Sequence, residues 1–356
     1  MVTKDFLVCV RCFTFNHAPF IEDTMNGFCM QQTSFPYVCV IVDDASTDGE
    51  QEVINNYIQH HFELADEIVV KKKETEDYYF TFAQHKTNEN CFFAVYYLKY
   101  NHYSIKKNKF PYITEYHDNV KYIALCEGDD YWTDALKLQK QYSILENNKD
   151  YSLCHTGFIY SEEGETINFS GEERTRINLQ EISENKNLVY SMLLGNRYLV
   201  QTMTAMYRLE DYHKAECDLS KIHGDFLMGD TQLWIALLRY GNIYFIPEVT
   251  SVYRLHSGSS THMIDIKKKL RFELSCSEMR VAVSKYYELP ITNIKDFEWK
   301  YKKMLLLYKS FDSEYKPFID VSFSNIFEKF IFNALINRPL SYLVKSAYLL
   351  SIKRFI

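Results

Sequence analysis

The sequence predicts an α/β fold with a mainly parallel sheet and helices on both of its faces. In the first half of the chain, short apolar runs typical of buried strands alternate with stretches whose apolar residues recur at helical spacing. Strands that alternate with helices in this way form parallel pairs. Polar or acidic residues also follow three of the apolar runs directly, as they do where a sheet carries a binding site at its carboxyl edge.

The elements of the first half are predicted in order from this pattern. The strands are residues 8–14, 37–42, 68–71 and 122–126, and the helices are residues 20–32 and a second stretch that ends near Phe62. Ser46 or Thr47 is expected to cap the second helix, because hydroxyl side chains are favoured at that position. Residues 74–118 fit no such unit and are interpreted as a partly helical insertion or cover.

The second half has a more mixed pattern. Residues 134–145 are predicted as a helix and residues 151–160 as a strand. A boundary is placed near Ser260, because the chain beyond it is almost wholly helical in pattern. The predicted organisation is one domain over residues 1–260 and a helical C-terminal region over residues 261–356.

Charge and cysteine positions argue against nucleic-acid binding and against a metal or disulfide site at the CxxC motif. The chain has 40 Lys and Arg against 47 Asp and Glu, a formal net charge of −7. Nucleic-acid-binding proteins usually carry a basic face, so nucleic acid is not expected as a partner. Cys9 and Cys12 form a CxxC, but residues three apart in a strand point to opposite faces, which disfavours a metal site or a disulfide there.

The hydropathy of the sequence indicates where in the cell the protein is expected. No apolar stretch approaches the roughly 20 residues of a membrane span, and Lys4 and Asp5 are not followed by the long uncharged run of a signal peptide. The protein is therefore expected in the cytoplasm, or at the inner face of the cell membrane as a peripheral protein. Residues 340–356 mix apolar and basic side chains, so this tail is a candidate for membrane contact. Packing on its own domain and a homo-oligomer contact are the alternatives.

Three predicted strands end in polar or acidic residues. These ends are Thr14-Phe15-Asn16, Asp43-Asp44 and Glu127-Gly128-Asp129-Asp130. The carboxyl ends of strands in an open α/β sheet share one edge, so these residues are expected to line a single pocket. Carboxylate oxygens suit Mg²⁺ and Mn²⁺, which makes Glu127 and Asp129 candidate metal ligands. The alternative is that residues 127–130 form only a turn before the next helix.

Several runs of the sequence resemble family 2 glycosyltransferases, which have the GT-A fold. The runs are Cys12–Ile21, Val42–Gly49, Tyr122–Asp134, Gly229–Trp234 and Val252–Ser259. Their order and spacing match that family over about residues 5–260. The resemblance implies a nucleotide-sugar half over about residues 1–134 and an acceptor half over about residues 135–260.

The resemblance also implies a donor site at the first two strand ends. Phe15 occupies the position of an aromatic residue that stacks on the nucleotide base, and Thr14 and Asn16 lie beside it in the same site. Asp44 matches the acid that reads the base edge, commonly that of uracil. The alternative for Phe15 is a core residue, since aromatic residues in such runs often pack inside.

Further along the chain, the resemblance implies a metal site and a catalytic base. Glu127 matches the first acid of the DxD motif, which contacts the ribose or the metal, and Asp129 matches its last acid, the main ligand of Mn²⁺ or Mg²⁺. Asp230 matches the general base. Arg254 and His256 match a late loop that closes over the diphosphate or the metal. Alternatively, Asp230 only caps the following helix and His256 is a solvated loop histidine.

These roles predict an inverting glycosyltransferase. Its donor is expected to be a nucleotide sugar, with a UDP-sugar favoured, and its acceptor a hydroxyl of a glycan or lipid-linked molecule in surface polysaccharide synthesis. One alternative is a catalytically silent module of the same fold that binds nucleotide sugars or proteins. Another is a metal-dependent phosphohydrolase or nucleotidyltransferase, because paired acids at strand ends suit those reactions too.

Overall fold

The computed structural model describes residues 5–65, 70–162, 164–167, 185–195, 200–256, 265–289, 294–323, 325–336 and 344–345. The strands are β1 Val8–Thr14, β2 Tyr37–Asp43, β3 Lys71–Glu74, β4 Tyr78–Gln84, β5 Cys91–Leu98, β6 Tyr122–Leu125, β7 Tyr131–Trp132, β8 Tyr151–Glu162, β9 Glu165–Ile167, β10 Met206–Arg208 and β11 Asn242–Leu255. The helices are α1 Ile21–Cys29, α2 Glu50–His61, α3 Phe110–His117, α4 Lys137–Asn147, α5 Lys186–Leu194, α6 Leu209–Leu219, α7 Asp230–Tyr240, α8 Ile266–Tyr286, α9 Ile294–Phe311 and α10 Ile326–Ile336.

All of these strands belong to one sheet. Its order is β3-β4-β5-β2-β1-β6-β10-β8-β11-β7, and β9 pairs with β8. The central strands β5, β2, β1 and β6 are parallel, as are β8 and β11, whereas β3, β4, β7, β9 and β10 form antiparallel pairs. Every residue of β2 and of β5 is buried, as expected for parallel strands covered on both faces. The predicted α/β class, the mainly parallel sheet and the C-terminal helices are confirmed.

The interpretation of residues 74–118 as a cover is wrong for most of that segment. Only α3 is helical, and the strands β4 and β5 extend the central sheet beyond β2. The run Cys91–Leu98 is aromatic and apolar without alternation because both of its faces are buried. The prediction of a strand over residues 68–71 lies partly outside the described residues, and the strand that follows is Lys71–Glu74.

The predicted cap of the second helix is also wrong. The helix begins at Glu50, after Gly49 in a left-handed conformation (φ +94°), and the first helical N–H, that of Glu50, donates to Asp48 Oδ1 at 3.1 Å. The Ser46 hydroxyl instead donates a hydrogen bond to the Glu50 carboxylate at 2.8 Å. The sequence therefore has a loop, rather than a first helical turn, between Asp44 and Gly49, and this loop borders the carboxyl edge of the sheet.

The chain divides into two compact units, and both are discontinuous. The first comprises Met1–Lys186, Tyr198–Ala215 and Leu237–Leu255 and contains the whole sheet. The second comprises Asn187–Arg197, Glu216–Ala236 and His256–Ile356. Within the second unit, α8 packs along α9. The division at residue 260 stays a prediction.

Residues 340–356 are the candidate segment for membrane contact. Apart from Val344 and Lys345, this segment lies outside the described residues. Among the helices that the structure describes, none combines the length and the apolarity that crossing a membrane requires.

Candidate functional site

The carboxyl ends of β1, β2 and β6 lie at the same edge of the sheet. Thr14, the last residue of β1, pairs with Asp43 at the end of β2, and Arg11 pairs with Leu125 at the end of β6. The ends of β1 and β6 also touch, because a Cβ added to Gly128 would lie only 1.9 Å from the Thr14 Oγ1. The structure thus brings together the three strand ends that the sequence singled out.

Three carboxylates lie within residues 127–130, just after β6. Burial raises the pKa of Glu127 to about 7, while the Thr202 hydroxyl, which donates to its Oε2 at 2.6 Å, opposes that rise. Burial, and next the charge of Asp129, hold the pKa of Asp130 well above its usual range. Asp130 accepts the Arg254 backbone N–H at 2.9 Å. Crowded, partly desolvated carboxylates favour a cation beside them, so these residues fit a divalent metal ion.

Arg254 holds the turn that carries the acids. It lies in β11, which pairs with β7 directly after the acidic run. Its Nη1 donates to the Asp129 carbonyl oxygen at 3.0 Å, and its Nη2 donates to Asp23. The guanidinium also lies 4.2 Å from the centroid of the Tyr131 ring. The structure therefore places this predicted donor-binding residue at the acidic cluster.

Asp44 lies at the same edge, but its carboxylate is engaged by the protein itself. Its Oδ1 accepts the His102 N–H at 2.7 Å, and its Oδ2 accepts the Tyr103 N–H at 3.1 Å and the Lys109 ammonium at 3.0 Å. Only 1% of the residue is exposed. In this conformation Asp44 holds the 102–109 segment over the end of β2. Its role in reading the nucleotide base stays a prediction.

Phe15 and Asn16 form the loop that follows β1. Phe15 is 41% exposed, which contradicts the alternative of a core residue and leaves a ring face at the edge of the sheet. Asn16 has a left-handed backbone (φ +58°), which asparagine tolerates better than most residues. Its side-chain oxygen accepts the Thr47 N–H at 2.8 Å, and its own N–H donates to Ser46 Oγ at 2.9 Å. Asn16 thus joins the loops after β1 and β2.

Sequence reasoning missed two residues of this edge, His17 and Glu50. His17 Nε2 lies 3.8 Å from Asp129 Oδ2, and its Nδ1 lies 3.1 Å from Thr14 Oγ1. Glu50 is fully buried, and burial raises its pKa to about 7 against the opposing hydrogen bond from the His17 N–H. His17 belongs to a turn-prone run, and Glu50 shares the helix face of the buried Ile54 and Tyr57, although its charge would normally place it at the surface. Only the tertiary contacts single them out.

Asp230 belongs to the second unit. It is the first residue of α7, and its Oδ1 accepts the Thr231 N–H at 2.6 Å. Burial raises its pKa, while hydrogen bonds from the helix start and the positive charge of Arg280 lower it. A raised proton affinity suits a general base. His256, the residue after β11, belongs to the same unit, and its role as a metal ligand stays a prediction.

Comparisons with known proteins bear on this edge of the sheet. Residues 10–79 match the family model described as "Glycosyl transferase family 2". Over 251 residues, 26% of positions are identical to uncharacterized proteins of Mycobacterium tuberculosis and Mycobacterium bovis. The aligned region covers 70% of this chain and 59% of those proteins, so the chain spans less than two thirds of the length of these relatives.

Two solved structures are similar to this chain at low sequence identity. One is a mannosyltransferase from Pyrobaculum calidifontis in complex with GDP-Man and Mn²⁺, with a TM-score of 0.49, 12% identity and coverage of 98% of this chain and 86% of that one. The other is S. aureus TarS in complex with UDP-GlcNAc, with a TM-score of 0.47, 12% identity and coverage of 84% and 72%. Similarity at this level says nothing about what this chain binds. The family match spans most of β1, all of α1, β2, α2 and β3, and includes Thr14 and Asp44, so this part of the chain is similar to glycosyl transferase family 2.

Proposed function

We propose that this chain is a metal-dependent, inverting glycosyltransferase. It moves a sugar from a nucleotide sugar, with a UDP-sugar favoured, to a hydroxyl of a glycan or lipid-linked acceptor in surface polysaccharide synthesis. The observation that carries the proposal is the meeting of Glu127 and Asp129 with the ends of β1 and β2 at one edge of the sheet, and the match of residues 10–79 to the family model supports it. Contact of the tail 340–356 with a membrane surface, and homo-oligomer formation, belong to the same proposal.

The acids after β6 are proposed to hold the metal ion. Asp129 is the main ligand and Glu127 the weaker one. His256, which follows Arg254 by two positions in the sequence, is the third. A bound Mn²⁺ or Mg²⁺ would neutralise the diphosphate and the charge that develops on the leaving nucleotide. Arg254 keeps the Asp129–Tyr131 turn in place and adds a positive charge at that position. Phe15 offers its exposed ring to the base.

Asp230 is proposed to accept the proton of the acceptor hydroxyl as that hydroxyl attacks the anomeric carbon. The oxygen–carbon bond then forms as the bond to the diphosphate breaks, so the anomeric centre inverts. Burial raises the pKa of Asp230, which makes its carboxylate a better proton acceptor than an exposed aspartate. A single carboxylate is sufficient for this direct displacement.

The test is turnover of a panel of nucleotide sugars with Mn²⁺ and the full-length chain. Slow release of the nucleoside diphosphate is expected from the correct donor, and Asp129→Asn should abolish it. Asp230→Asn should retain donor binding and lose transfer, whereas the exposed Asp5→Asn should behave as wild type. Loss of donor affinity in Asp230→Asn would place this residue in the donor site instead of at the acceptor.

One observation favours the alternative of a catalytically silent module. Asp44 is covered by the 102–109 segment, so in this conformation its carboxylate is not presented to a nucleotide base. Tight nucleotide binding without turnover of any donor, in the presence of an acceptor library, would support the silent module and contradict the proposed activity. Release of inorganic phosphate in place of the nucleoside diphosphate would indicate a phosphohydrolase.

A further inference from the structure

A continuous line of side chains connects the buried start of α2 with the acidic cluster. Glu50, fully buried, accepts the Thr14 hydroxyl with Oε1. Its Oε2 accepts the His17 backbone N–H at 2.8 Å and the Ser46 hydroxyl at 2.8 Å. Thr14 Oγ1 then lies 3.1 Å from His17 Nδ1, and His17 Nε2 lies 3.8 Å from Asp129 Oδ2. All of these residues belong to the first unit.

The directions of these hydrogen bonds fix the protons. Ser46 Oγ accepts the Asn16 N–H at 2.9 Å, so its own hydroxyl proton points to Glu50. Glu50 accepts from three donors and donates to none of them, which is the pattern of an ionised carboxylate. Thr14 has a single hydroxyl proton, which goes to Glu50, so the Thr14 oxygen must accept from the His17 Nδ1–H. A neutral imidazole carries one N–H, and His17 Nε2 therefore carries the lone pair.

We propose that His17, through Nε2, binds the same divalent cation as Asp129. Glu50 and Thr14 are positioning residues, because they hold His17 in the Nδ1–H tautomer. Two electron-pair donors that face each other at 3.8 Å repel, whereas a cation between them attracts both. Metal–ligand bonds of about 2.1 Å span atoms up to roughly 4.2 Å apart. This inference rests on the metal dependence in the proposed function and adds a ligand from the loop after β1.

A nitrogen ligand also gives the site a preference among metal ions. Mg²⁺ binds through oxygen and keeps much of its water, whereas imidazole binds transition metals well. Asp129 and Glu127 would bind Mg²⁺ and Mn²⁺ through oxygen. His17 Nε2 adds a nitrogen ligand to these acids and to the proposed His256, which increases the preference of the site for Mn²⁺ over Mg²⁺.

The tautomer is tested on the metal-free, full-length protein by long-range ¹H–¹⁵N correlation NMR. The His17 signals are assigned by their loss in His17→Ala. We expect the Nδ1–H tautomer in the wild type, and a change to the Nε2–H tautomer in Thr14→Val, which keeps the side-chain shape but removes the oxygen that accepts. An Nε2–H tautomer in the wild type would overturn the inference. So would a Thr14→Val variant whose His17 keeps the Nδ1–H tautomer.

Metal ligation is tested by EPR titration with Mn²⁺ alone, and with Mg²⁺ as a competitor. His17→Ala should weaken Mn²⁺ binding about tenfold or more and Mg²⁺ binding by less than about threefold. His17→Asn, which can still donate to Thr14 but lacks Nε2, should show the same loss, and folding of both variants is checked by circular dichroism. His60→Ala, which removes an exposed histidine of α2, is the control and should bind as wild type.

The outcomes separate this inference from the proposed function. If Asp129→Asn loses Mn²⁺ binding and His17→Ala and His17→Asn keep the wild-type affinity, His17 is not a ligand and the metal site at Asp129 stands. If the wild type binds no Mn²⁺, both the metal dependence and the role of His17 are refuted.

Discussion

Gly128 shows, at the scale of one residue, how closely the strand ends approach each other. It separates two acids, and the position of its missing Cβ falls 1.9 Å from Thr14 Oγ1 and 2.6 Å from Thr14 Cβ. A side chain there would push the end of β6 away from that of β1. The glycine is therefore required by packing, and the same close approach brings Asp129 near His17.

We expect Gly128→Ala to lower the free energy of unfolding by about 1–3 kcal/mol, because the added methyl group overlaps Thr14. Urea unfolding monitored by circular dichroism measures this change. Gly229→Ala is the matched control, since no atom lies within 4 Å of the Cβ that it would add. Equal stability of the two variants would show that the ends of β1 and β6 separate without cost.

A second prediction at this scale concerns Asp44. Asp44→Asn keeps the shape but replaces one acceptor oxygen with an amide that faces a backbone N–H or the Lys109 ammonium. We expect the free energy of unfolding to fall by about 2–3 kcal/mol, the usual size for hydrogen bonds to a charged group. Asp5→Asn, at an exposed aspartate, is the control. Unchanged stability combined with weaker UDP binding would assign Asp44 to the donor instead of to the 102–109 segment.

At the scale of elements, local patterns predicted the strand ends well. A buried apolar run followed by acids is contained in a few consecutive residues, so β2 and its carboxyl end could be found from the sequence. The aromatic strand Cys91–Leu98 could not, because its neighbours along the chain do not alternate and its partner β2 is distant in sequence. His17 and Glu50 were missed for the same reason, since each is defined by a contact across more than thirty residues.

The helix α4 begins with a buried lysine whose pKa gives a testable pH dependence. Burial lowers the pKa of Lys137 to about 7. Its Nζ donates to Gln141 Oε1 at 2.6 Å and lies 4.4 Å from the centroid of the Trp132 ring. In the unfolded chain this lysine keeps its proton up to about pH 10. Between pH 7 and about 10, Lys137 is protonated in the unfolded state and neutral in the folded state. The free energy of unfolding should therefore rise with pH over this range.

We expect Lys137→Met to remove this dependence. At each pH, the free energy of unfolding of the wild type is subtracted from that of the variant. This difference should be larger at pH 6.5 than at pH 9.5 by roughly 2–4 kcal/mol. Lys140→Met, on the same helix, is the control, because the hydrogen bond to Asp134 raises the pKa of Lys140 and keeps it charged in both states over this range. Parallel pH profiles for the wild type and Lys137→Met would contradict the prediction.

At the scale of the molecule, the chain enters the second unit three times. Asn187–Arg197 and Glu216–Ala236 belong to the same unit as His256–Ile356, which contains the C-terminal helices. Within that unit, Arg280 Nε donates to the Leu194 carbonyl oxygen at 2.7 Å. The Leu227 N–H donates to Ser275 Oγ at 2.8 Å. A linear reading of the sequence places a boundary where the pattern becomes helical and cannot show such returns of the chain.

We expect a chain truncated after Ser260 to lose cooperative folding, even though the sequence pattern suggests a boundary there. The truncation removes α8 and its buried Leu270 and Leu274. It also removes Arg280 and Ser275, the hydrogen-bond partners of Leu194 and Leu227. Thermal unfolding and binding of a hydrophobic dye measure the loss. A chain that ends at Ile336 keeps α8, α9 and α10 and should unfold as the full chain does. The chain that ends at Ser260 could instead unfold in a single sharp transition at the Tm of the 356-residue chain. That result would show that Asn187–Arg197 and Glu216–Ala236 fold without these helices.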